Sequence, residues 1–514
     1  MGFFGAIRRL FTGKKTPVQP SANGRRIAGS YDSAKVTDAN TNHWANADAL
    51  SADGANSVNV RYTLRNRSRY EAANNGYCKG LLRTRRNDVV GTGPRLQVTM
   101  PGTFPDPDFG TTMNVPADAT RQVERRFKAW MESANINDKL RILEESGERD
   151  GECFALQFTN LGLTDDVKLD IRLIEPDQVT TPDLLWNDPL AIDGIRFDES
   201  GNPTEYHILK RHPGDPVWIN PWDYDRIAAA WVIHWFDPSR PNEKRGVPST
   251  TPSLPLFAQL RRYTLATLMA AETAANIAGV MYTDQPPPSE GGDPPEFTAF
   301  DHVPIARGSL LTAPEGWRAE AFKSEQPVST YREFKGEILT EAGRPMCAPR
   351  NVSTGSSAEY NYSSGRLDHL PYERAIKIDR DRLRQIALDR LFKAWHREAR
   401  LIPGYLPAGL PPLADWDTTW HWDGFESIDP VKDATANEIK IRTGQTTLFD
   451  VNAEDGKDGE ELLRSKARQI SLARQLEKEN GLMPGTLYPL AVAEQIAAPL
   501  PSPEGVDAQP ANAG

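Results

Sequence analysis

The stretch Asn361-Tyr362-Ser363-Ser364-Gly365-Arg366 joins a small polar segment to a basic amphipathic helix, and no catalytic residue pattern accompanies it. Residues 351–360 before it are mostly small, hydroxyl-bearing or Gly, so they have little apolar surface to bury and predict a loop in water. After it, apolar residues recur at helical spacing, at Leu383, Ala387, Leu391 and Ala394. The other faces carry cations that are expected to stay in water: Arg380, Arg382, Arg384, Arg390, Lys393 and Arg397. The pattern indicates a structural role for this segment rather than a catalytic one.

Length and charge limit the possible functions. The chain has 514 residues, which is too long for one compact core and predicts about two to four domains, or one domain with large insertions. It contains 60 Lys and Arg against 70 Asp and Glu, a formal net charge of −10. This balance argues against a protein whose main task is to hold nucleic acid by neutralising its phosphates.

Cysteines, hydropathy and the N-terminus add further limits. Cys78, Cys153 and Cys347 lack paired spacing, so we expect a reducing compartment with no disulfide framework and no zinc site. The longest apolar run, 227–233, is far shorter than the roughly 20 residues that span a bilayer, so no membrane contact is expected. Residues 1–59 are predicted to form a flexible arm that begins with a basic segment. That segment is either a disordered tail or a peptide that docks on a partner or an acidic surface.

The first half of the chain predicts an α+β region. Residues 62–95 have a basic helical pattern that ends at Gly91-Thr92-Gly93-Pro94, and a helix capped by Asp118 or Thr120 is predicted to run past Leu140. The spacing of the apolar residues then changes to that of β-strands. Short antiparallel strands are predicted at 152–158, 168–174, 194–197, 205–210 and 229–236.

The second half predicts helices around a small module. A helix over 254–282, with Ser253 as its N-cap, would be roughly 43 Å long. The module at 283–330 contains strand candidates at 299–303 and 309–312, and a helix over 331–342 follows it. A Trp-rich stretch after Pro403 is predicted to pack back onto the α+β region. Helices then follow at 432–442 and 458–480, the second with Leu463, Ala467, Ile470 and Ala473 on one stripe, and the tail 497–514 is predicted to be disordered.

Catalytic and cofactor motifs are not found in the sequence, so we predict no enzyme, no cofactor and no metal. One acidic cluster, Glu144, Glu145, Glu148, Asp150 and Glu152, leaves a Mg²⁺-dependent nuclease or packaging enzyme as an alternative, although no well-placed lysine accompanies it. A solvated turn is the favoured interpretation of the cluster. His234 is interpreted as a hydrogen-bonded core histidine rather than a ligand or base.

Several separated motifs together carry a resemblance to a known family. They are Asn87-Asp88-Val89-Val90-Gly91-Thr92-Gly93, His234-Trp235-Phe236 with Arg240-Pro241, Arg245-Gly246-Val247-Pro248, the opening stretch at 361–366, and residues 420–430. In this order they resemble the portal proteins of lambda-like tailed phages, over about residues 60–482. A channel-less minor capsid or scaffold protein is a further alternative.

The resemblance implies a ring, generally of twelve subunits, at one capsid vertex, through which double-stranded DNA enters during packaging and leaves during ejection. Its implied partners are the terminase large subunit, head completion or adaptor proteins, and the major capsid or scaffold protein, with assembly in the host cytoplasm before incorporation into the virion. The implied parts are a wing (60–253, with a long helix and return at 366–431), stem helices (254–282 and 331–342), a clip of α/β type (283–330), a tunnel loop (343–365) and a helical crown (432–496).

The resemblance also suggests which residues contact DNA. An acidic ring would repel DNA over about one Debye length, ~8–10 Å, and so let it slide, while scattered cations make brief contacts. Candidates in and beside the implied tunnel loop are Lys335, Arg344, Arg350, Asn351, Ser353 and Thr354. For each cation, an ordinary surface charge or an ion pair between subunits is the favoured alternative.

Overall fold

The structure is a computed structural model that describes residues 42–43, 45, 47–105, 112–181, 188, 190–216, 223–276, 279–283, 317–321, 330–358, 361–425, 430–483 and 485–487. The chain divides into residues 1–51 and 52–514, and the second unit contains all the elements below. The basic start of the arm, the strand candidates at 299–303 and 309–312, and the tail at 497–514 lie outside the described residues.

The described part of the chain combines helices with short strands. The α-helices are α1 (Ala52–Ala55), α2 (Val58–Asn74), α3 (Gly76–Val90), α4 (Ala119–Ser133), α5 (Ile136–Asp150), α6 (Leu254–Asn276), α7 (Thr330–Gly343), α8 (Arg350–Thr354), α9 (Tyr362–Leu383), α10 (Asp389–Ala399), α11 (Pro430–Arg442), α12 (Leu448–Glu454) and α13 (Gly459–Glu479). The strands are β1 (Arg95–Thr99), β2 (Thr103–Pro105), β3 (Thr112–Asn114), β4 (Glu152–Thr159), β5 (Leu169–Ile174), β6 (Ala191–Ile192), β7 (Ile195–Phe197), β8 (Pro203–Leu209), β9 (Tyr224–Ala228), β10 (Val232–Phe236), β11 (Gly279–Thr283), β12 (Trp317–Ala321) and β13 (Asp417–His421). None of the described helices is both long and apolar enough to cross a membrane.

Two predicted helices are each divided in two. The 62–95 segment contains α2 and α3, separated at Asn75, whose side chain accepts hydrogen bonds from the backbone N–H groups of Tyr77 and Cys78. The helix predicted from Asp118 past Leu140 is α4 and α5, separated at Asn135 in the left-handed conformation (φ 50°). Asparagine tolerates this conformation better than most residues, and it lets the chain change direction at this point. The apolar residues keep their helical spacing on both sides of the break.

The predicted antiparallel strands are confirmed, with small changes at their ends. One sheet has the order β10-β4-β5, and another has the order β6-β7-β8-β9. A 3₁₀ turn at Ala229–Trp231 delays the start of β10, which was predicted from 229. β13 pairs with β1, so the Trp-rich stretch does return to the first half of the chain, as predicted.

Aromatic side chains join α4, α10 and β13 in the larger of two hydrophobic clusters, and residues of the β6-β7-β8-β9 sheet lie in the other. The ring of Phe127 on α4 lies edge-on to Phe392 and Trp395 of α10, with centroid distances of 5.3 and 5.1 Å, and to Trp420 of β13 at 5.8 Å. Trp130 Nε1 donates to the carbonyl of Leu169 at 2.8 Å. Aromatic pairs of this kind add specific geometry to a large buried area, so α4 is fixed against both α10 and β13.

The long basic helix begins at Tyr362 and continues through a π-helical segment, Arg384–Leu388, into α10. Leu383, Ala387 and Leu391 are buried, as predicted. The prediction that every cation stays in water is wrong for Arg380, which is 9% exposed and donates to the carbonyls of Asp88 and Val89. These carbonyls belong to the last turn of α3, where helical partners are lacking, and the guanidinium supplies donors for them.

The 254–282 helix is shorter than predicted. α6 ends at Asn276, and 279–283 form β11, which pairs with β12. Gly279 weakens a helix, and Val280 and Tyr282 favour an extended chain, which explains the change. At ~1.5 Å per residue, α6 is about 35 Å long. Ser253 does not serve as its predicted N-cap: the hydroxyl donates instead to the carbonyl of Ala342 at 2.7 Å, linking the start of α6 to the end of α7.

The remaining helices mostly follow the sequence pattern. α7 confirms the 331–342 prediction, and α11 and α13 confirm those at 432–442 and 458–480. α12 was missed by the sequence analysis. The apolar stripe on α13 is buried only at Ala473, and Leu463 is 41% exposed.

The cap of α9 gives a first test of the fold. Asn361 accepts from the N–H of Ser364 at 2.9 Å, and the Ser364 hydroxyl accepts from the N–H of Asn361 at 3.2 Å. We expect Asn361→Ala to lower the free energy of unfolding by about 1 kcal/mol, and Asn361→Asp to lower it by only a few tenths. Chemical denaturation measures both changes. Equal stability of the alanine variant and the wild type would show that the cap contributes nothing.

Candidate functional site

A cavity of about 200 Å³ lies between α3, α7 and the segment around α8, and we call it the basic cleft. Its lining residues are Tyr77, Tyr331, Arg332, Lys335, Gly336, Leu339, Arg350, Thr354 and Ser356. Three of the predicted DNA-contact residues, Lys335, Arg350 and Thr354, therefore line one cavity although their positions in the sequence are separate. Arg344, Asn351 and Ser353 are not part of its lining.

Lys335 is held in the basic cleft by two tyrosines. Its Nζ lies 4.8 Å from the ring centroid of Tyr77 and 5.5 Å from that of Tyr331, which is cation–π geometry. Partial burial opposes the charged ammonium, but hydrogen bonding to Tyr77 and the interaction with Tyr331 outweigh it and raise the pKa of Lys335. Lys335 therefore stays cationic at neutral pH.

Arg350 supplies a second cation at the start of α8. Its Nη1 forms an ion pair with Glu337 at 2.5 Å, and about a quarter of its side chain is exposed. A Cβ at Gly336 would lie 2.9 Å from Nη2, so the glycine leaves room for the guanidinium. Arg350 therefore has an ion-pair partner within its own subunit, which differs from the pair between subunits that was considered, and the exposed part of its guanidinium faces solvent.

The remaining candidates have other roles in the fold. Ser353 is 4% exposed, and its hydroxyl donates to the carbonyl of Pro349 at 3.1 Å. Thr354 Oγ1 donates to the carbonyl of Arg350 at 2.7 Å, and the Asn351 side chain hydrogen-bonds to His369 at 3.0 Å. The expectation of a wholly solvated loop over 351–360 is therefore wrong at 351–354, because these residues belong to a short helix whose carbonyls accept from the hydroxyls. Arg344 is exposed in the 3₁₀ turn Arg344–Met346.

The acidic cluster is not a solvated turn, which corrects that interpretation. Glu144, Asp150 and Glu152 are 2%, 1% and 0% exposed. The guanidinium groups that pair with cluster members come from several parts of the chain: Arg69 and Arg149 at Asp150, Arg85 at Glu148, Arg86 at Glu145, and Arg245 at Glu152. Most of these carboxylates are thus already paired with fixed cations, which does not favour the Mg²⁺ site of the nuclease alternative.

Glu152 and Arg245 form the most deeply buried of these pairs, and both side chains are 0% exposed. Arg245 Nε donates to both carboxylate oxygens of Glu152 at 2.9 Å, and His234 Nε2 lies 3.0 Å from the same carboxylate. Burial opposes the charge, but Arg245 and His234 outweigh it and hold the pKa of Glu152 well below its usual value. The prediction for His234 is confirmed. The role of Arg245 was missed, because no spacing in the sequence links it to Glu152.

In the described part of the chain, one group of side chains brings potential metal-ligand atoms within 4.8 Å of one another: Glu175, Asp177 and His212. Arg65 and Arg69 already contact Asp177, at 3.2 and 2.8 Å. These guanidinium groups supply the positive charge that a metal ion would otherwise bring. The cluster therefore behaves as an ion-pair network.

Two of the motifs that carry the family resemblance, at 87–93 and 420–430, contact each other. The Thr92 N–H donates to Asp423 at 2.6 Å, and its hydroxyl donates to the same carboxylate at 2.9 Å. Gly91 has φ 60°, and a Cβ there would lie 2.4 Å from Asp423. The glycine is needed both for its backbone conformation and for this close approach.

A family model described as "Phage portal protein, lambda family" matches residues 38–380, about two thirds of the chain. The chain belongs to the lambda family of phage portal proteins. The match includes the basic cleft, the Glu152–Arg245 pair and the opening stretch at 361–366. The resemblance seen in the sequence is confirmed, and this portal protein is a structural component of the phage portal vertex and of the virion.

Similar proteins include a curated relative and several solved structures. The "Probable portal protein" of Halomonas phage phiHAP-1 is 25% identical over 503 residues, which cover 90% of each chain. Among solved structures, a chain from the neck of an empty GTA particle has 11% identity and a TM-score of 0.42, covering 77% of this portal protein and 93% of that chain. A chain from the virion of a native gene transfer agent particle has 12% identity and a TM-score of 0.39, with the same coverage.

Proposed function

We propose that this portal protein assembles into a ring of twelve copies whose axis conducts double-stranded DNA into and out of the capsid. The observation that carries the proposal is an apolar face on α6. Leu265, Leu268 and Met269 are 56%, 56% and 66% exposed, and Phe334 of α7 is 51% exposed. Contiguous apolar surface of this kind marks a protein interface, and neighbouring copies in a ring would cover it.

We assign the stem to α6 and α7, which pack side by side. The Tyr263 ring lies 5.7 Å from Tyr331 and 5.2 Å from Phe334. β11 follows α6 and β12 precedes α7 in the sequence, and this antiparallel pair would join the stem to the clip, 283–330. The wing would comprise 60–253 with 366–431, the tunnel loop 343–365, and the crown 432–496.

The ring would also be a docking platform. We propose that the clip receives the terminase large subunit during packaging and head completion or adaptor proteins afterwards, while the wing contacts the major capsid or scaffold protein. With twelve copies the formal charge would be about −120, which keeps DNA from binding tightly along the channel. Lys335, Arg350 and the exposed Arg344 would then make brief phosphate contacts, while Asn351 and Thr354 position α8. Ser353 is buried and is proposed to support the segment without touching DNA.

The DNA-contact role is tested with Lys335→Ala/Arg350→Ala, because removing two cations should weaken phosphate contact without emptying a core. We expect intact rings, a salt dependence of duplex binding that falls by about one unit of log–log slope for each cation removed, and severalfold less packaged DNA. Fluorescence anisotropy at several salt concentrations and a packaging assay measure these effects. Lys393→Ala, on an exposed face of α10, is the matched control. An unchanged slope together with normal packaging would contradict the assignment.

A further inference from the structure

A second cavity, of about 460 Å³, lies at the junction of α3, α5, α9 and the segments before α6 and α8, and we call it the acidic cleft. The residues that line it are different from those that line the basic cleft. Its charged lining residues are Arg85, Glu144, Glu148, Asp237, Asp379 and Arg382. Apolar side chains, among them Trp235 and Met346, form other parts of its wall. The cleft therefore combines an excess of carboxylates with apolar surface.

Both arginines of the acidic cleft already form ion pairs, although Nη1 of Arg85 has no hydrogen-bond partner among the described residues. Arg85 Nη2 contacts Glu148 at 3.0 Å and Asp379 at 2.6 Å. Arg382 contacts Asp237 at 3.0 Å and Asp379 at 3.7 Å, and it donates to the carbonyl of Phe236 at 2.6 Å. Two arginines thus pair with three carboxylates, and Glu144 is a fourth carboxylate in the same cleft.

Glu144 is the carboxyl group of the acidic cleft that these arginine ion pairs do not include. It is 2% exposed, and within the described part of the chain its Oε2 has no hydrogen-bond partner. Oε2 of Glu148 is likewise without a partner there. Burying a polar atom without a hydrogen-bond partner costs free energy. The acidic cleft of the isolated subunit therefore lacks a group that would hydrogen-bond to these oxygens.

We propose that the acidic cleft is a socket for a basic side chain of a neighbouring copy in the ring, with its ammonium or guanidinium group paired to Glu144. This inference rests on the proposed ring. The charge excess selects a cation, and the apolar wall suits the aliphatic stem of Lys or Arg. We commit to the neighbouring copy as the occupant, because every subunit of a closed ring presents the same surface to the next one, so one basic side chain would fill every cleft.

Assembly through this socket should depend on pH. Burial, Glu148 and Asp379 raise the pKa of Glu144 to about 8, while Arg85 and Arg382 oppose this rise. Asp237 and the exposed thiol of Cys347 also line the cleft. In the free subunit Glu144 is therefore mostly protonated at pH 7, and an incoming cation favours its ionised form. Assembly then releases a proton, so the ring should become more stable as pH rises from about 6 to 8.

Sedimentation velocity at pH 6 and pH 8 tests this linkage. We expect subunit association of the wild type to tighten by about tenfold or more for each contact over this range. Glu144→Gln should lose this pH dependence and associate more weakly at pH 8. Glu124→Gln is the matched control, because burial also raises the pKa of Glu124, to about 7, but Glu124 lies outside the cleft. The control should keep the wild-type association at both pH values.

Two further measurements distinguish a socket from an ordinary buried contact. The Tm of unassembled Glu144→Gln should exceed that of the wild type at pH 8, because glutamine carries no charge to bury. Maleimide labelling of Cys347, the exposed cysteine, should slow on assembly, whereas Cys78 and Cys153 are buried throughout. Rings that form independently of pH, with Cys347 still labelled at the free-subunit rate, would overturn the socket and leave the ring intact. Failure of the wild type to form rings at either pH would overturn both.

Discussion

Arg245→Ala is expected to destabilise the portal subunit by about 3–5 kcal/mol, enough to leave much of it unfolded or aggregated. Arg245 is 0% exposed and donates to Glu152 and to the carbonyls of Pro176, Val179 and Asp193. Its removal would leave Glu152 charged, buried and short of its main partner. That uncompensated charge, rather than the net value of the pair, causes the loss.

Denaturant unfolding of the unassembled subunit measures this change. Arg384→Ala is the matched control, because Arg384 also contacts two carboxylates, Asp381 and Asp389, but its side chain is 35% exposed. An exposed pair contributes at most about 1 kcal/mol, so the control should stay within that range. A stable Arg245→Ala subunit would show that Glu152 finds another partner or becomes protonated without cost.

Gly246→Ala is expected to cost about 3 kcal/mol or more, because the new Cβ would lie 2.0 Å from the carbonyl oxygen of Gly151. The obstructing atom belongs to the backbone, so no side-chain rotation relieves the overlap. Gly151 in turn has φ 90°, and a Cβ there would lie 2.5 Å from the backbone of Val247. The two glycines thus allow the end of α5 and the Arg245-Gly246-Val247-Pro248 motif to touch directly.

Thermal and denaturant unfolding of Gly246→Ala are compared with Gly80→Ala. Gly80 lies in α3, and a Cβ added there would meet nothing within 4 Å, so alanine should stabilise the helix by up to about 1 kcal/mol. Opposite signs for the two variants are expected. Similar small effects at both positions would mean that the close approach at Gly246 is easily relaxed.

Local patterns predicted the elements of this fold well, and contacts between distant residues account for the errors. The strands around β4 and the apolar stripe of the long helix follow from alternation and helical spacing. The break at Asn135 was missed because the apolar periodicity continues across it. The end of α6 was missed because alanine-rich sequence favours helix until Gly279 and the pairing of β11 with β12 intervene.

The acidic cluster shows the same limit for functional interpretation. In sequence, Glu144 to Glu152 has the pattern of a charged surface turn, since most of the arginines that neutralise it come from α2, α3 and the segment before α6. Periodicity contains no information about such long-range pairs. The basic cleft was partly predictable, because Lys335 lies in the predicted helix 331–342 and Arg350 lies in the loop predicted to follow it. The burial of Ser353 was not, because its contact with Pro349 depends on the short helix that forms there.

Closure of identical copies into a ring around an open axis is the central claim for this portal protein. Negative-stain electron microscopy of the purified protein, with native mass measurement of the same sample, tests it most directly. We expect end-on views with a central hole wide enough for duplex DNA and a mass corresponding to a closed oligomer, twelve copies in our proposal. Monomers at every concentration, or oligomers without a hole, would contradict the claim.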